Sequence, residues 1–151
     1  MTGAGGAAKT YCAVLIVEDD SDDAYLLRRA LDSAAAARSV TIGVTHAGNG
    51  FEGLSAVARS DVLSRLPDVI VVDLNMPIVD GRRFLTALRE DLGLGGTPAA
   101  VLTTSTEKQV HERAIGSGAD VVFSKPETQN ELIEIAHRIL DLGLYGTPAL
   151  A

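Results

Sequence analysis

The chain has 151 residues, a net charge of −7 at pH 7, a hydrophobic fraction of 46% and a charged fraction of 22%. That length suits one domain with its own core, and the composition argues against disorder. The acidity argues against nucleic acid or anionic lipid as a partner. A single cysteine, Cys12, excludes an internal disulfide and fits a reducing, cytoplasmic setting.

No run approaches the roughly 18 consecutive apolar residues that a membrane span requires. Residues 1–11 begin Met1-Thr2-Gly3-Ala4-Gly5-Gly6 without a basic segment leading into an apolar one. They read as a flexible tail rather than a signal peptide.

Residues 12–17 then form a short, continuous apolar run, the pattern of a strand covered on both faces. Ser21 or Asp22 is placed to cap a helix whose Tyr25, Leu26, Ala30, Leu31 and Ala34 recur at helical spacing. Val40, Ile42 and Val44 alternate with small or polar residues, which predicts a strand over 40–45 nearer an edge. Gly48-Asn49-Gly50 is a turn, and a short helix is expected from Phe51 to Ala58. Asp68 to Val72 is the most apolar run and reads as a central strand. Phe84, Leu85 and Leu88 mark a third helix after Asp80-Gly81. Ala99 to Leu102 is a fourth strand, and Val110, Ala114 and Ile115 mark the helix that follows. Val121 to Phe123 is a fifth strand. Leu132, Ile133, Ile135, Ala136, Ile139 and Leu140 give the last helix a broad apolar face.

Five alternating strand–helix units imply a doubly wound α/β fold with a five-stranded parallel sheet. In such folds ligands sit outside the carboxyl ends of the strands, where the strand order reverses. Four polar motifs fall at those ends: Glu18-Asp19-Asp20, Asp73 with Asn75, Thr103-Thr104-Ser105, and Lys125-Pro126. Three carboxylates, a hydroxyl and an ammonium would then share one pocket. Carboxylates that close repel unless a cation neutralises them, which points to Mg²⁺ and a phosphoryl group.

Val17-Glu18-Asp19-Asp20, Asp73-Leu74-Asn75-Met76-Pro77 with Asp80-Gly81, Leu102-Thr103-Thr104-Ser105 and Lys125-Pro126, in this order, resemble the receiver domain of two-component response regulators. The Val-Glu-Asp-Asp-x-Asp-Asp opening and Leu-Thr-Thr-Ser also resemble the stand-alone receivers associated with phytochrome-type histidine kinases. The resemblance spans about residues 12–142 and implies the flavodoxin-like (βα)5 fold. It leaves residues 143–151 as a short C-terminal tail with no output domain. It further implies that Asp73 is the phospho-acceptor, and that Glu18 and Asp19 hold Mg²⁺ together with Asp73 and the backbone carbonyl of Asn75. Thr103 would hydrogen-bond a phosphoryl oxygen and Lys125 would pair with another. A cis bond before Pro126 would help aim that lysine. Asn75 and Ser105 would flank the water path that sets phosphoryl lifetime.

The implied function is a single-domain response regulator, with no enzyme activity beyond its own phosphorylation and dephosphorylation. It would be charged by a histidine kinase or phosphotransfer protein and would signal through a downstream protein. Family members often use helix 4, strand 5 and helix 5 for such targets or for homodimers. A phosphorylation-independent scaffold is an alternative reading, and a Mg²⁺-dependent aspartyl-phosphate hydrolase is another. The hydrolase reading is weakened by Asn75, where such enzymes carry a second acid.

Other residues have plainer roles. Asp20, Asp22 and Asp23 suit a helix start better than a metal shell. Thr104 and Ser105 compete with Thr103 to face the phosphate, and the spacing back from Lys125 favours Thr103. Arg28, Arg29, Arg82, Arg83 and Arg89 read as solvated helix faces, with Arg82 and Arg83 able to steer an acidic partner. His46, His111 and His137 lack metal-ligand spacing and read as surface residues. Cys12 reads as buried and inert.

Two features stand apart. Residues 91–99 closely match residues 141–149, with Gly93 and Gly143 as expected helix C-caps. Shared capping chemistry or drift accounts for the match most simply, and a sharper reading has the tail pair with a neighbouring chain's sheet edge. The position three before Lys125, an aromatic switch in the family, is Val122. Strand alternation turns the adjacent Phe123 to the other face. Output is therefore expected from backbone shifts around Thr103 to Glu107 or from the fourth helix.

Overall fold

A computed structural model describes residues 9–76 and 79–147. The expected tail over residues 1–8, Pro77 of the second motif and residues 148–151 lie outside the described residues. The strands are β1 (Tyr11–Val17), β2 (Thr41–Ala47), β3 (Val69–Asp73), β4 (Ala99–Thr103) and β5 (Val121–Ser124). The helices are α1 (Ser21–Ala37), α2 (Gly50–Val62), α3 (Gly81–Thr86), α4 (Lys108–Ser117) and α5 (Gln129–Tyr145).

All strand pairs are parallel, in the order β2-β1-β3-β4-β5. Every residue of β3 and β4 is buried, as continuous apolar runs in a doubly covered sheet require. β2 and β5 form the edges and are more exposed. Alternation along the strands builds two cores. Cys12, Val14, Ile16, Val69, Val71, Leu102 and Phe123 pack with Leu27 and Leu31 of α1 and Ile139 and Leu140 of α5. Leu15, Val17, Ile70, Val72 and Val101 pack with Val57 of α2, Phe84 and Leu85 of α3, Leu88 just beyond α3, and Ala114 of α4. Chain order reverses between β1 and β3, and the crevice opens there.

Several local expectations are corrected. Asp20, rather than Ser21 or Asp22, caps α1: its Oδ1 accepts the N–H groups of Asp22 at 2.9 Å and Asp23 at 3.2 Å. With that start, Ala24, Leu27, Ala30, Leu31, Ala34 and Ala35 face the core, leaving Tyr25 and Leu26 exposed. Ile115 likewise faces outward. α2 runs on past Ala58 to Val62.

A wide π turn over Ala87–Asp91 follows α3, closed by Leu92 N–H donating to the Ala87 carbonyl at 2.9 Å. It places Arg89 inward instead of on a solvated face. The guanidinium donates to the carbonyls of Gly118, Leu94 and Thr97 and pairs with Asp120 at 3.1 Å. Gly93 does adopt φ +67, as a helix-ending glycine should. Gly143 does not end its helix, because α5 continues to Tyr145 and Gly146 takes the positive φ. A side chain at Gly143 would strike Cys12 Sγ, so glycine lets α5 lie against β1. Cys12 is buried there, and desolvation pushes its thiol up to about 11, an unreactive state.

Candidate functional site

The sheet register brings the four motifs together. Val17 pairs with Val72, so Glu18 follows β1 beside Asp73, the last residue of β3. Asp73 pairs with Leu102, and Thr103 pairs with Ser124. The Lys125 N–H donates to the Thr103 carbonyl at 2.7 Å, extending the ladder one step and fixing where that side chain starts.

Glu18, Asp19 and Asp73 each present a carboxylate oxygen within 4.8 Å of the others. Glu18 and Asp73 are buried, and Asp19 is exposed at the mouth. Lys125 Nζ lies 3.0 Å from Glu18 Oε1 and 3.8 Å from Asp73 Oδ1. It also lies 3.0 Å from Asp23 Oδ2, so this acid of the α1 start is part of the pocket. Asp23 was not expected there, because its partner stands 102 residues away and local periodicity does not report such a contact. Asp20 and Asp22 keep to the helix start.

Thr103 is buried, whereas Thr104 is exposed and Ser105 is intermediate. The Thr103 hydroxyl oxygen accepts the Ser105 N–H at 3.1 Å. Asn75 is exposed at the rim, and its N–H donates to Asp73 Oδ1 at 3.2 Å, which puts that peptide beside the acid cluster. Gly81 closes the β3–α3 loop over Asp73. A Cβ there would lie 2.5 Å from the Asp73 carbonyl oxygen and 2.7 Å from Leu74 Cα, so only glycine permits the approach. The described peptide bonds are all trans, including the one before Pro126, where a cis bond was expected. Lys125 is aimed instead by its backbone bond to β4 and by Glu18 and Asp23.

The histidines are not simply surface groups. His46 is exposed, but its Nε2 lies 2.7 Å from the Glu18 carbonyl. His111 and His137 are half-buried, and His111 Nε2 lies 2.8 Å from the Ser105 carbonyl. Val122 packs toward the α2–α3–α4 layer and Phe123 toward α1 and α5, with Arg138 over its ring at 4.8 Å. Strand alternation predicted that division.

The electrostatics follow from the crowding. Burial, then the hydrogen bond and charge of Asp73, push the Glu18 carboxyl up to about 8 against the opposing pull of Lys125. Burial draws the Lys125 ammonium down, but Asp23, Glu18 and Asp73 more than reverse this and hold it above the ordinary lysine value. One ammonium thus serves several carboxylates. The donor set is all hard oxygen, and a divalent cation of the Mg²⁺ type fits it chemically.

The sequence matches the response regulator receiver domain over residues 14–137. The chain belongs to that family. Receiver domains take phosphoryl groups from histidine kinases and bind a divalent metal at an acidic pocket. An uncharacterized 14.6 kDa protein of Leptolyngbya boryana is 34% identical over 126 residues, 83% of this chain and 87% of that protein. The sensor histidine kinase CheAY of Helicobacter pylori is 29% identical over 129 residues, which are 85% of this chain but 15% of the kinase. The crystal structure of the phosphorylated cyanobacterial phytochrome response regulator RcpA superimposes with a TM-score of 0.77. It is 24% identical, and the match covers 93% of this receiver and 99% of that one. At that identity the likeness speaks for the fold. Among the described residues no helix is long and apolar enough to cross a membrane.

Proposed function

We propose that this receiver accepts a phosphoryl group on Asp73 from the phospho-histidine of a kinase or phosphotransfer protein, and that the product acts by binding another protein. The observation that carries the reading is the meeting of Glu18, Asp19 and Asp73 within 4.8 Å, with Lys125 bridging Glu18 and Asp73.

Asp73 Oδ attacks phosphorus, the P–N bond to the donor imidazole breaks, and an acyl phosphate remains. Glu18, Asp19, Asp73 and the Asn75 carbonyl are the residues that would hold Mg²⁺. Bound there, the ion neutralises phosphoryl oxygens and lowers the repulsion that a carboxylate nucleophile meets. Lys125, already charged and held by Glu18 and Asp23, exchanges carboxylate for a phosphoryl oxygen. Thr103 donates its hydroxyl hydrogen to another.

The exposed Leu26 of α1 lines a cavity together with Glu18, Asp23, Lys125 and Pro126, which offers the donor protein an apolar foothold. The face of α4, β5 and α5 is the proposed surface for the target, or for a second copy of the chain.

Intact-mass measurement after acetyl phosphate with Mg²⁺ tests this directly. An adduct of about 80 Da is expected on the wild type and none on Asp73→Asn. An adduct retained by Asp73→Asn, or none on the folded wild type, removes Asp73 from the role.

A further inference from the structure

The Thr103 hydroxyl is tied to α4 and β5 by hydrogen bonds alone. Ser105, in the loop between β4 and α4, donates its N–H to Thr103 Oγ1 at 3.1 Å. Its carbonyl receives two donors: Ser124 Oγ of β5 at 3.1 Å and His111 Nε2 of α4 at 2.8 Å. A carbonyl oxygen only accepts, so His111 carries a proton on Nε2 in this arrangement, and both lone pairs of the oxygen are used. The loop is closed again by the Glu107 N–H on Ser105 Oγ at 3.1 Å. Ser105 therefore touches three elements, through its N–H in one peptide unit and its carbonyl in the next.

Ser105 also decides what the hydroxyl can do. With the Ser105 N–H held on the Thr103 oxygen, the hydroxyl hydrogen remains free to be donated to an anion in the pocket. If the hydroxyl turns toward a phosphoryl oxygen, the Ser105 backbone must follow it or give up its bond. Following it disturbs both donors on the carbonyl, one on each neighbouring element. β5 offers this link no aromatic ring among the described residues: Val122 is small, and Phe123 is committed beneath Arg138 on the opposite layer.

We infer that His111 and Ser124 are positioning residues for the phosphoryl site, acting through the backbone of Ser105 to set the Thr103 hydroxyl and to couple it to α4 and β5. The inference rests on the reading of Asp73 as phospho-acceptor, and it is separable from that reading by experiment. Neither residue touches the reacting atoms. Their contribution is to the orientation of one donor and to the path by which its movement leaves the site.

The test uses the full chain and the double variant His111→Ala with Ser124→Ala. The initial rate of adduct formation from acetyl phosphate should fall roughly tenfold, as expected for two lost neutral hydrogen bonds. Mg²⁺ affinity by calorimetry should stay within about twofold, since no carboxylate is altered. His111→Gln with Ser124→Thr restores both donors and should recover most of the rate, which a purely packing role does not predict. A double variant that is folded and phosphorylates at the wild-type rate overturns the inference, as does failure of the restoring pair.

A second measurement needs no phosphorylation. Amide exchange at Ser105 in the unmodified protein should quicken roughly tenfold in the double variant, as the residue loses the anchors on its carbonyl. If exchange at Ser105 does not move, the inference is overturned whether or not an adduct forms. If the wild type takes no adduct while Ser105 exchange responds, the coupling stands and the phospho-acceptor reading falls.

Discussion

The two ends of the sheet treat their acids in opposite ways. At the amino ends, Asp68 accepts the Ala13 N–H at 2.7 Å and pairs with Lys9 at 2.6 Å. Asp120 accepts the Ala99 N–H at 2.8 Å and pairs with Arg89 at 3.1 Å. Each of these carboxylates has one backbone donor and one cation of its own, and each joins neighbouring strands. At the carboxyl ends, Glu18, Asp23 and Asp73 share the single ammonium of Lys125, while Asp19 stands beside them without a hydrogen bond or ion pair among those found in the described residues. The same residue type thus builds stability at one end and holds unmet demand for positive charge at the other. That unmet demand is what a cation and a transferred phosphoryl group can satisfy.

The sharpest way to break the comparison is to remove a partner at the amino end. Arg89→Ala leaves Asp120 without its cation and frees the carbonyls of Gly118, Leu94 and Thr97 from their shared donor. The guanidinium is largely buried, so a loss of about 3–5 kcal/mol in urea unfolding is expected. Below its melting temperature the variant should still form the Asp73 adduct. Loss of phosphorylation in a folded Arg89→Ala protein would show that the two ends are not independent.

The next effect appears as a dependence on pH. Glu18 titrates near 4.5 when unfolded and near 8 in the folded, metal-free pocket. A carboxyl whose folded pKa is raised binds its proton more tightly when folded. The stability from that group is complete below about 4.5 and is lost as the pH climbs to about 8. Lys125, held above its ordinary value, stays charged throughout this window. Metal-free protein should therefore weaken by a few kcal/mol between pH 5 and 8, with a slope of at most about 1.4 kcal/mol for each pH step of one, the limit for a single proton. Glu18→Gln should flatten the profile, and saturating Mg²⁺ should reverse its sign, because protons compete with the ion. Urea titrations across that range, with and without Mg²⁺, give the slopes. A profile that is flat in the metal-free wild type would mean that the acids are not crowded.

Much of this contrast is legible in the sequence. The runs 12–17 and 68–72 are apolar almost without interruption, which a doubly covered strand explains, and that sends Glu18 and Asp73 to the same edge. What stays hidden depends on contacts far apart in the chain. Asp23 meets Lys125 across 102 residues, and Ser124 meets the Ser105 carbonyl across 19, with no local pattern to announce either. Arg89 reads as solvated because regular helix geometry would leave it so, and the π turn alters its direction. Gly143 resembles a cap because the match to residues 91–99 is real, but its use is the close approach to Cys12.

Asp20 gives the smallest effect and the finest discrimination. It lies in sequence with the metal-type acids, yet its carboxylate already accepts two N–H groups at the start of α1, as the amino-end aspartates accept theirs. Asp20→Ala should cost about 1 kcal/mol, the usual worth of an N-cap, and should leave Mg²⁺ affinity within about twofold of wild type. Asp20→Asn keeps an acceptor for the cap and should recover most of that stability. Asp19→Asn is the counterpart: it removes a carboxylate with no structural partner among the described residues, so stability should hold while Mg²⁺ affinity falls by roughly tenfold or more. If Asp20→Asn lowered Mg²⁺ affinity as far as Asp19→Asn does, Asp20 would belong with the cation site and the boundary between capping and coordination would move one residue along α1.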